Sequence, residues 1–154
     1  MVSKPIKTDL NSLKRIAKHK RKLVKEMLVD GKNIFKNMKG YENHVNYDLY
    51  DMPPEITGFK NLILNMNVIQ PGRIGDEHKM TTGHSHAKQD EYYFFVKGRG
   101  KAVLKSGKKQ YVFNVKQHDL ITVPRGYWHR LINTGKSEFV FIDIFSGKLP
   151  KSRK

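Results

Sequence analysis

A succession of short strand-like segments fills the chain from about residue 46 onward. These segments are rich in β-branched and aromatic residues, and turn signals such as Pro71-Gly72 and Lys97-Gly98-Arg99-Gly100 separate them. They read NLILNMNVI, YYFFV, KAVL, QYVFNV, LITV and EFVFIDIF. Many short strands with no helical stretch between them predict a β-sandwich or barrel. In the first segment, the alternation places four apolar side chains on one face of the strand: Leu62, Leu64, Met66 and Val68.

The N-terminal part follows a different pattern. Residues 8–29 can form a helix that Thr8 or Asp9 caps, because Leu10, Leu13 and Ile16 follow helical spacing and Gly31 can end it. Three consecutive basic residues at 20–22 interrupt the stripe, so residues 23–28 could instead form a short strand. At 154 residues the chain predicts one domain. We divide it into a basic arm that contains the predicted helix and packs on or extends the barrel (1–40), the barrel itself (41–148) and a basic tail (149–154).

Charge and cysteine content limit the classes of function. The chain has 30 Lys and Arg against 14 Asp and Glu, a net charge of +16, much of it within KRIAKHKRKLVK (14–25). This charge is typical of a solvated lysine-rich surface, and it also favours anions such as nucleic acid, anionic lipid or a phosphorylated metabolite. With no cysteine, disulfides, zinc–thiolate sites and thiol catalysis are excluded. There is no apolar leader or membrane-length run, so we expect a soluble cytoplasmic protein with no membrane partner.

Two separated histidine motifs predict a metal site. His84 and His86 alternate within GHSHAKQDEYY, and four residues separate His86 from Glu91. If residues 87–90 connect a hairpin, Glu91 opens the return strand and its carboxylate can reach both imidazoles. His129 lies after a Pro-x-Gly turn in VPRGYWHRLIN and supplies a fourth ligand type. Three imidazoles and one carboxylate suit one divalent ion, either Fe, Mn, Ni or Zn, with coordination positions left for a substrate.

Both motifs resemble those of the cupins. His84-x-His86, Glu91 and Gly98 match HxH(x)4E(x)6G, and the segment from Pro124 through His129 to Asn133 matches PxG(x)2H(x)3N. The resemblance implies an all-β fold, a single cupin barrel, also called a double-stranded β-helix or jelly-roll. The glycines that usually open the two motifs are absent, and histidines stand in their places: His78 and His118. Those glycines shape turns and do not bind metal, so we treat the two histidines as ordinary residues.

Within the cupins, the chain is similar to the archaeal cupin-type glucose-6-phosphate isomerases. The similarity is densest over 61–104 and 123–145, and it includes QPGRIGDEHKMTTGHSHAK, YYFFVKGRGKAVL and TVPRGYWHRLIN. It implies a sugar-phosphate substrate, a homodimer and metal ligation by His84, His86, Glu91 and His129. It further implies that Glu91 moves the proton between C1 and C2, that Tyr93 contacts the sugar, and that Thr81 and Gly83 hold the phosphate. Lys88 adds a nearby positive charge.

Several positions depart from that family. The family commonly has six residues between the second histidine and the glutamate, where this chain has four. Asn67 replaces a phosphate-binding threonine, and Phe145 replaces a tyrosine that touches phosphate. The tail GKLPKSRK lacks a histidine that the family carries. Each lost donor would cost about 1–3 kcal/mol if its partner stays buried.

Two other functions fit the same residues. The first is a different metal-dependent cupin enzyme, such as a dioxygenase, a lyase or another isomerase. The second is a non-catalytic cupin that binds a metal or small ligand, with the basic arm contacting nucleic acid. A nucleic-acid partner is disfavoured, since the aromatic residues occupy core-like strand positions and no helix-turn-helix pattern is present.

Overall fold

The strands of this protein form two sheets that share one core, as seen in a computed structural model that describes residues 10–52 and 61–146. The six-stranded sheet has the order β1-β4-β5-β13-β8-β11, and the three-stranded sheet has the order β10-β9-β12. Two short ribbons, β2-β3 and β6-β7, accompany them. The elements are α1 (Leu10–Ile16), β1 (Lys18–Leu23), a 3-10 turn (Val24–Glu26), β2 (Leu28–Val29), β3 (Lys32–Asn33), β4 (Val45–Asp51), β5 (Leu62–Ile69), β6 (Arg73–Ile74), β7 (Glu77–His78), β8 (Glu91–Lys97), β9 (Arg99–Ser106), β10 (Lys109–Lys116), β11 (Leu120–Val123), β12 (Trp128–Asn133) and β13 (Phe139–Ser146).

The strand pairing is antiparallel throughout the two sheets. Each of the six strand-like segments from residue 61 onward forms a strand, and the all-β prediction is confirmed. Strands from both sheets contribute to one buried cluster, in which Phe95 stacks on Phe139 at 5.3 Å between ring centroids. Its buried members are Ile69, Tyr93, Phe95, Ala102, Leu104, Val115, Val123, Leu131, Phe139 and Phe141.

The large sheet also packs on its outer face. Met66 and Val68 of β5 join Tyr50 of β4 in a second buried cluster, against which Ala17 packs just after α1. The predicted apolar face of β5 therefore faces away from the barrel interior. Because side chains alternate along a strand, Asn65 and Asn67 face the interior instead.

The helix predicted over residues 8–29 is wrong in its extent. Among the described residues, α1 ends at Ile16, and residues 18–23 form β1, the edge strand of the large sheet. The alternative, a strand over 23–28, is also wrong, because a 3-10 turn occupies 24–26. The predicted caps Thr8 and Asp9 and the predicted basic tail (149–154) lie outside the described residues.

A distant carboxylate explains why the basic segment forms a strand. Asp48 of β4 is buried, and Arg21 donates to it through Nε at 2.8 Å. His19 contacts the same carboxylate through Nε2 at 2.7 Å. Pairing with β4 thus gives two polar side chains of β1 a buried partner that a helix over the same residues would not reach.

Two turns of the histidine motifs depend on left-handed backbone. Gly98 has φ +78°, and a Cβ there would clash with the Glu138 carbonyl oxygen. His118, at the place where cupins usually carry glycine, has φ +75°. An L-residue in this region costs about 1–2 kcal/mol, so the chain keeps the turn at some loss of stability. No helix in the described ranges is long and apolar enough to span a membrane.

Candidate metal centre

Four side chains from separate parts of the chain meet inside the barrel. His84 and His86 lie on the segment before β8, Glu91 is the first residue of β8, and His129 lies on β12. One ligand atom from each of the four lies within 4.8 Å of every other. An ion with bonds of about 2 Å separates opposite ligands by about 4 Å, so small side-chain rotations would close the site around one ion.

The backbone route to this cluster differs from the predicted hairpin. His84 does not pair with β8. Its N–H instead donates to the His129 carbonyl at 3.1 Å, and the His129 N–H donates back at 2.9 Å. The Gly126 N–H, in the turn before β12, donates to the His86 carbonyl at 2.7 Å. Residues 84–86 thus extend the small sheet, while β8 pairs with β11 and β13 in the large one.

Unsatisfied buried atoms support a metal at this position. Five buried side-chain N or O atoms among the described residues lack a hydrogen-bond partner, and four of them belong to this cluster. They are His86 Nε2, His129 Nε2 and both carboxylate oxygens of Glu91. His86 Nε2 lies 2.5 Å from Glu91 Oε1, and His129 Nε2 lies 3.4 Å from Glu91 Oε2, without hydrogen-bond alignment. A buried polar atom without a partner is costly, and a shared ion would satisfy all four.

The ionisation of Glu91 suits a metal ligand. Burial by itself raises the pKa of this carboxyl, but the close imidazoles of His129 and His86 and the Tyr93 hydroxyl outweigh it and hold the pKa below its ordinary value. The carboxylate is therefore charged at neutral pH. His129 Nδ1 contacts the Tyr127 carbonyl oxygen at 3.1 Å, which leaves Nε2 toward Glu91.

A packed loop holds the first two histidines. Gly83 has φ +83°, and a Cβ at this residue would clash with Trp128 Cζ2. Arg130 lies two residues along the same strand, with its guanidinium carbon 5.0 Å from the Trp128 ring centroid. Its Nη2 donates to the Thr82 carbonyl at 2.7 Å. The indole and the guanidinium therefore fix the approach of residues 81–84 to the site.

The cluster opens into a cavity of about 780 Å³. Thr81, Lys88, Asn67 and Tyr93, all predicted to contact substrate, line this cavity, as do His84 and His86. Gly83 is not among its lining residues and lies against Trp128 instead. Thr81 accepts a hydrogen bond from the Leu131 N–H through Oγ1 at 3.1 Å. Phe145, where the family carries a tyrosine, stacks on the His86 ring with centroids 5.4 Å apart.

Three further residues line the cavity although no sequence motif singled them out. Lys20 and Lys22 alternate along β1 and are half-buried at its wall. Asp143 of β13 lines it as well and is 3% exposed. A signal for Asp143 was present, because alternation in EFVFIDIF places this carboxyl in a row with Phe139, Phe141 and Phe145.

The antiparallel barrel with three histidines and a glutamate at its centre defines a cupin. Solved cupin structures agree with this fold. The chain superposes on the oxalate decarboxylase of Lactobacillus farciminis with a TM-score of 0.58, at 23% identity, over 68% of this chain and 30% of that one. The family model of glucose-6-phosphate isomerase (GPI) matches residues 18–149, and the chain belongs to this family.

Individual relatives support the same assignment. The glucose-6-phosphate isomerase of Thermococcus kodakarensis is 30% identical over 151 residues, covering 92% of this chain and 78% of that protein. The enzyme of the same name from Thermococcus onnurineus is 33% identical over 134 residues, covering 81% and 69%. The family match begins at residue 18, so it includes β1, which lies upstream of the segments that carry the sequence resemblance.

Proposed function

We propose that this chain is a metal-dependent isomerase that interconverts glucose 6-phosphate and fructose 6-phosphate. The observation that carries the proposal is the buried His84–His86–Glu91–His129 cluster, whose unsatisfied atoms open into a cavity large enough for a sugar phosphate. Membership of the glucose-6-phosphate isomerase family supports the choice of substrate.

We propose one divalent first-row ion, Fe, Mn, Ni or Zn, as the cofactor. His84 and His86, together with Glu91 and His129, would hold it through three nitrogens and one oxygen. The bound ion would supply Lewis-acid polarisation to neighbouring sugar oxygens. Within the cluster, His84 is half-buried and the other three side chains are buried. His84 therefore lies on the side of the cluster that faces the cavity.

Two side chains of β8 are proposed to act on the sugar. Glu91 is charged, fully buried and at the cluster, so we assign it the transfer of the proton between C1 and C2 of the open-chain sugar. Tyr93 lies two residues on and faces the same interior, with its ring 5.6 Å from that of His129. Its hydroxyl would orient the sugar beside the carboxylate.

The phosphate is proposed to bind beside the small sheet. Thr81 lines the cavity, and its hydroxyl keeps its own proton for donation while accepting from Leu131. Lys88 lines the same region and supplies positive charge. Gly83 lies against Trp128 and outside the cavity lining, so we assign it no contact with the phosphate. Lys20 and Lys22 add a favourable field for an anion entering the cavity.

We propose a homodimer as the working unit. Large apolar side chains are exposed on the outer face of β8 and β11, where Phe94 and Leu120 are register partners and Tyr92 is 49% exposed. An apolar surface of this kind is typical of an interface. Sedimentation equilibrium of the full chain would test it, with a monomer at all concentrations as the contrary result.

One experiment tests the activity. The full chain is stripped of metal, reloaded with each of the four ions in turn, and assayed in both directions on glucose 6-phosphate and fructose 6-phosphate, with bound metal quantified in each sample. We expect turnover that tracks metal occupancy and approaches the same equilibrium ratio from either sugar. A fully loaded chain that converts neither sugar would overturn the proposal.

A further inference from the structure

Asp143 is a buried carboxyl that the proposed reaction does not use. It is 3% exposed, lines the cavity, and stands between Phe141 and Phe145 on the interior face of β13. An apolar side chain would continue the aromatic row at this position without the cost of burying a charge-bearing group. A polar side chain at such a place therefore needs a polar partner.

Asn67 is one such partner within the protein. Its Nδ2 donates to Asp143 Oδ1 at 2.9 Å across the β5–β13 pair. Asn65 Nδ2 lies 3.4 Å from the other oxygen of Asp143, Oδ2. With its amide turned over, Asn65 donates instead to Asp51 Oδ1 at 2.9 Å. A carboxylate has about four acceptor sites, so it can hold Asn67 and a ligand hydroxyl at the same time. The carboxyl lies between Tyr93 on β8 and Asn65 on β5 in the strand register.

The position of this pair separates it from the phosphate site. Asn67 and Asp143 belong to the large sheet, whereas Thr81 is hydrogen-bonded to Leu131 of the small sheet. A carboxylate repels a phosphate and accepts hydrogen bonds from neutral hydroxyls. The Asn67–Asp143 pair thus suits the hydroxyls of a ligand, and the Thr81 segment suits its phosphate.

We infer that Asp143, held by Asn67, is a specificity-determining residue that accepts a hydrogen bond from a sugar hydroxyl and repels the phosphate from the β5–β13 part of the cavity wall. The inference rests on the proposed sugar-phosphate substrate. It also reassigns Asn67, which the sequence similarity places at the phosphate, to the sugar. The ligand is then oriented by charge, with its phosphate at Thr81 and Lys88 and its hydroxyls at Asp143.

The test compares Asp143→Asn with wild type by ligand binding, followed as thermal protection of the metal-loaded full chain. The probes are glucose 6-phosphate, its deoxy analogues at C3 and C4, and inorganic phosphate. We expect Asp143→Asn to weaken glucose 6-phosphate about tenfold or more, the scale of a hydrogen bond to a charged group, and to leave inorganic phosphate unchanged or tighter. One deoxy analogue should show the same loss in wild type and no further loss in the variant.

Asp51→Asn is the matched control. It removes the same charge from the same cavity lining. In the strand register, Asn65 of β5 lies between Asp51 of β4 and Asp143 of β13. We expect it to change affinity for glucose 6-phosphate less than twofold. Equal losses in both variants, equal losses for phosphate and sugar phosphate in Asp143→Asn, or no loss at all would each overturn the inference.

An exchange variant covers the case in which Asp143→Asn fails to fold. In the double variant Asn67→Asp with Asp143→Asn, the carboxyl and the amide trade strands and the hydrogen bond between them is kept. A purely structural role predicts that stability and sugar affinity both return. The inferred role predicts that stability returns while the tenfold loss of glucose 6-phosphate binding remains. Because binding is measured without turnover, a wild-type chain that binds the sugar phosphate but does not isomerise it refutes only the proposed function.

Discussion

Replacing Asp48 by Asn should loosen the strand that carries Lys20 and Lys22 into the cavity wall. The Asp48 side chain is 3% exposed and bridges β4 to β1 through Arg21 and His19. The Arg21 Nε bond is 2.8 Å long and the His19 Nε2 contact is 2.7 Å. The amide keeps the shape of the side chain but removes the charge that both partners contact.

The expected loss of unfolding free energy is about 1–2 kcal/mol. A hydrogen bond to a charged group contributes about 1.5–3 kcal/mol when buried. Here the side chains of His19 and Arg21 are 39% and 54% exposed, so solvent screening brings each interaction toward the scale of about 0.2–1 kcal/mol found at surfaces. For a chain of this size, about 1–2 kcal/mol corresponds to a fall in Tm of about 2–8 °C.

The pH dependence of this difference has a definite sign. Burial by itself raises the pKa of Asp48, but the hydrogen bonds from Arg21 and His19 outweigh it and lower the pKa below the ordinary value. The stabilisation is therefore complete above the pKa of an unfolded aspartate, about 3.9, and is lost as pH falls through the lower folded value. The difference in Tm between wild type and variant should therefore begin to shrink below about pH 4.

Thermal unfolding of the metal-free chain, followed by circular dichroism from about pH 3 to 7, measures this prediction. Asp30→Asn serves as the control, because it makes the same charge change at an exposed turn whose φ of +51° asparagine tolerates. The control should shift Tm by less than about 2 °C. The reasoning fails if Asp48→Asn matches wild type at neutral pH, or if the difference between them grows as the solution is acidified.

The remaining predictions concern the metal site. Glu91→Gln should lower metal affinity. If the carboxylate moves the proton, it should also lower turnover about 10²-fold or more when the site is fully occupied by metal. A variant that binds as much metal as wild type and turns over at the same rate would refute that role for Glu91. Gly83→Ala should cost about 2–5 kcal/mol in denaturant unfolding, from left-handed backbone plus the clash with Trp128. Gly126→Ala, at the same φ of +83° but with nothing within 4 Å, should cost only about 1–2 kcal/mol, and equal costs would refute the clash. Chelation should lower the Tm of wild type, because an ion present at a concentration about 100 times its Kd stabilises the folded chain by about 2.7 kcal/mol. The Tm of His129→Ala, which lacks one ligand, should not change on chelation.

The strands and the metal-ligand set were predictable because both depend on short-range pattern. Alternation of side chains along EFVFIDIF or YYFFV is a local property, and the structure has strands at both. The spacing of His84, His86 and Glu91, with His129 in a second motif, identified four groups before any contact between them was known. In the structure, one ligand atom from each of the four lies within 4.8 Å of every other. His84 reaches the site by pairing with His129 of the small sheet, not through the predicted hairpin with β8.

The conformation of the basic N-terminal segment depends on a distant partner. Its local pattern suits a helix, yet residues 18–23 form a strand because Asp48, 27 residues beyond Arg21, offers a buried carboxylate on β4. No window of sequence around β1 contains that information. Pairing with β4 also turns Lys20 and Lys22 toward the cavity, so a segment that reads as plain surface charge becomes part of a binding wall.

The all-β class and the four metal-ligand candidates could be predicted from periodicity and spacing, and the family from the resemblance of its motifs to those of the cupins. Which face of each strand lines the cavity could not. On β5 the apolar face of Met66 and Val68 packs outward, and the face with Asn67 turns inward to meet Asp143. Alternation defines two faces of a strand but says nothing of what surrounds them. Packing of the large sheet against the small one decides which face of β5 meets the ligand.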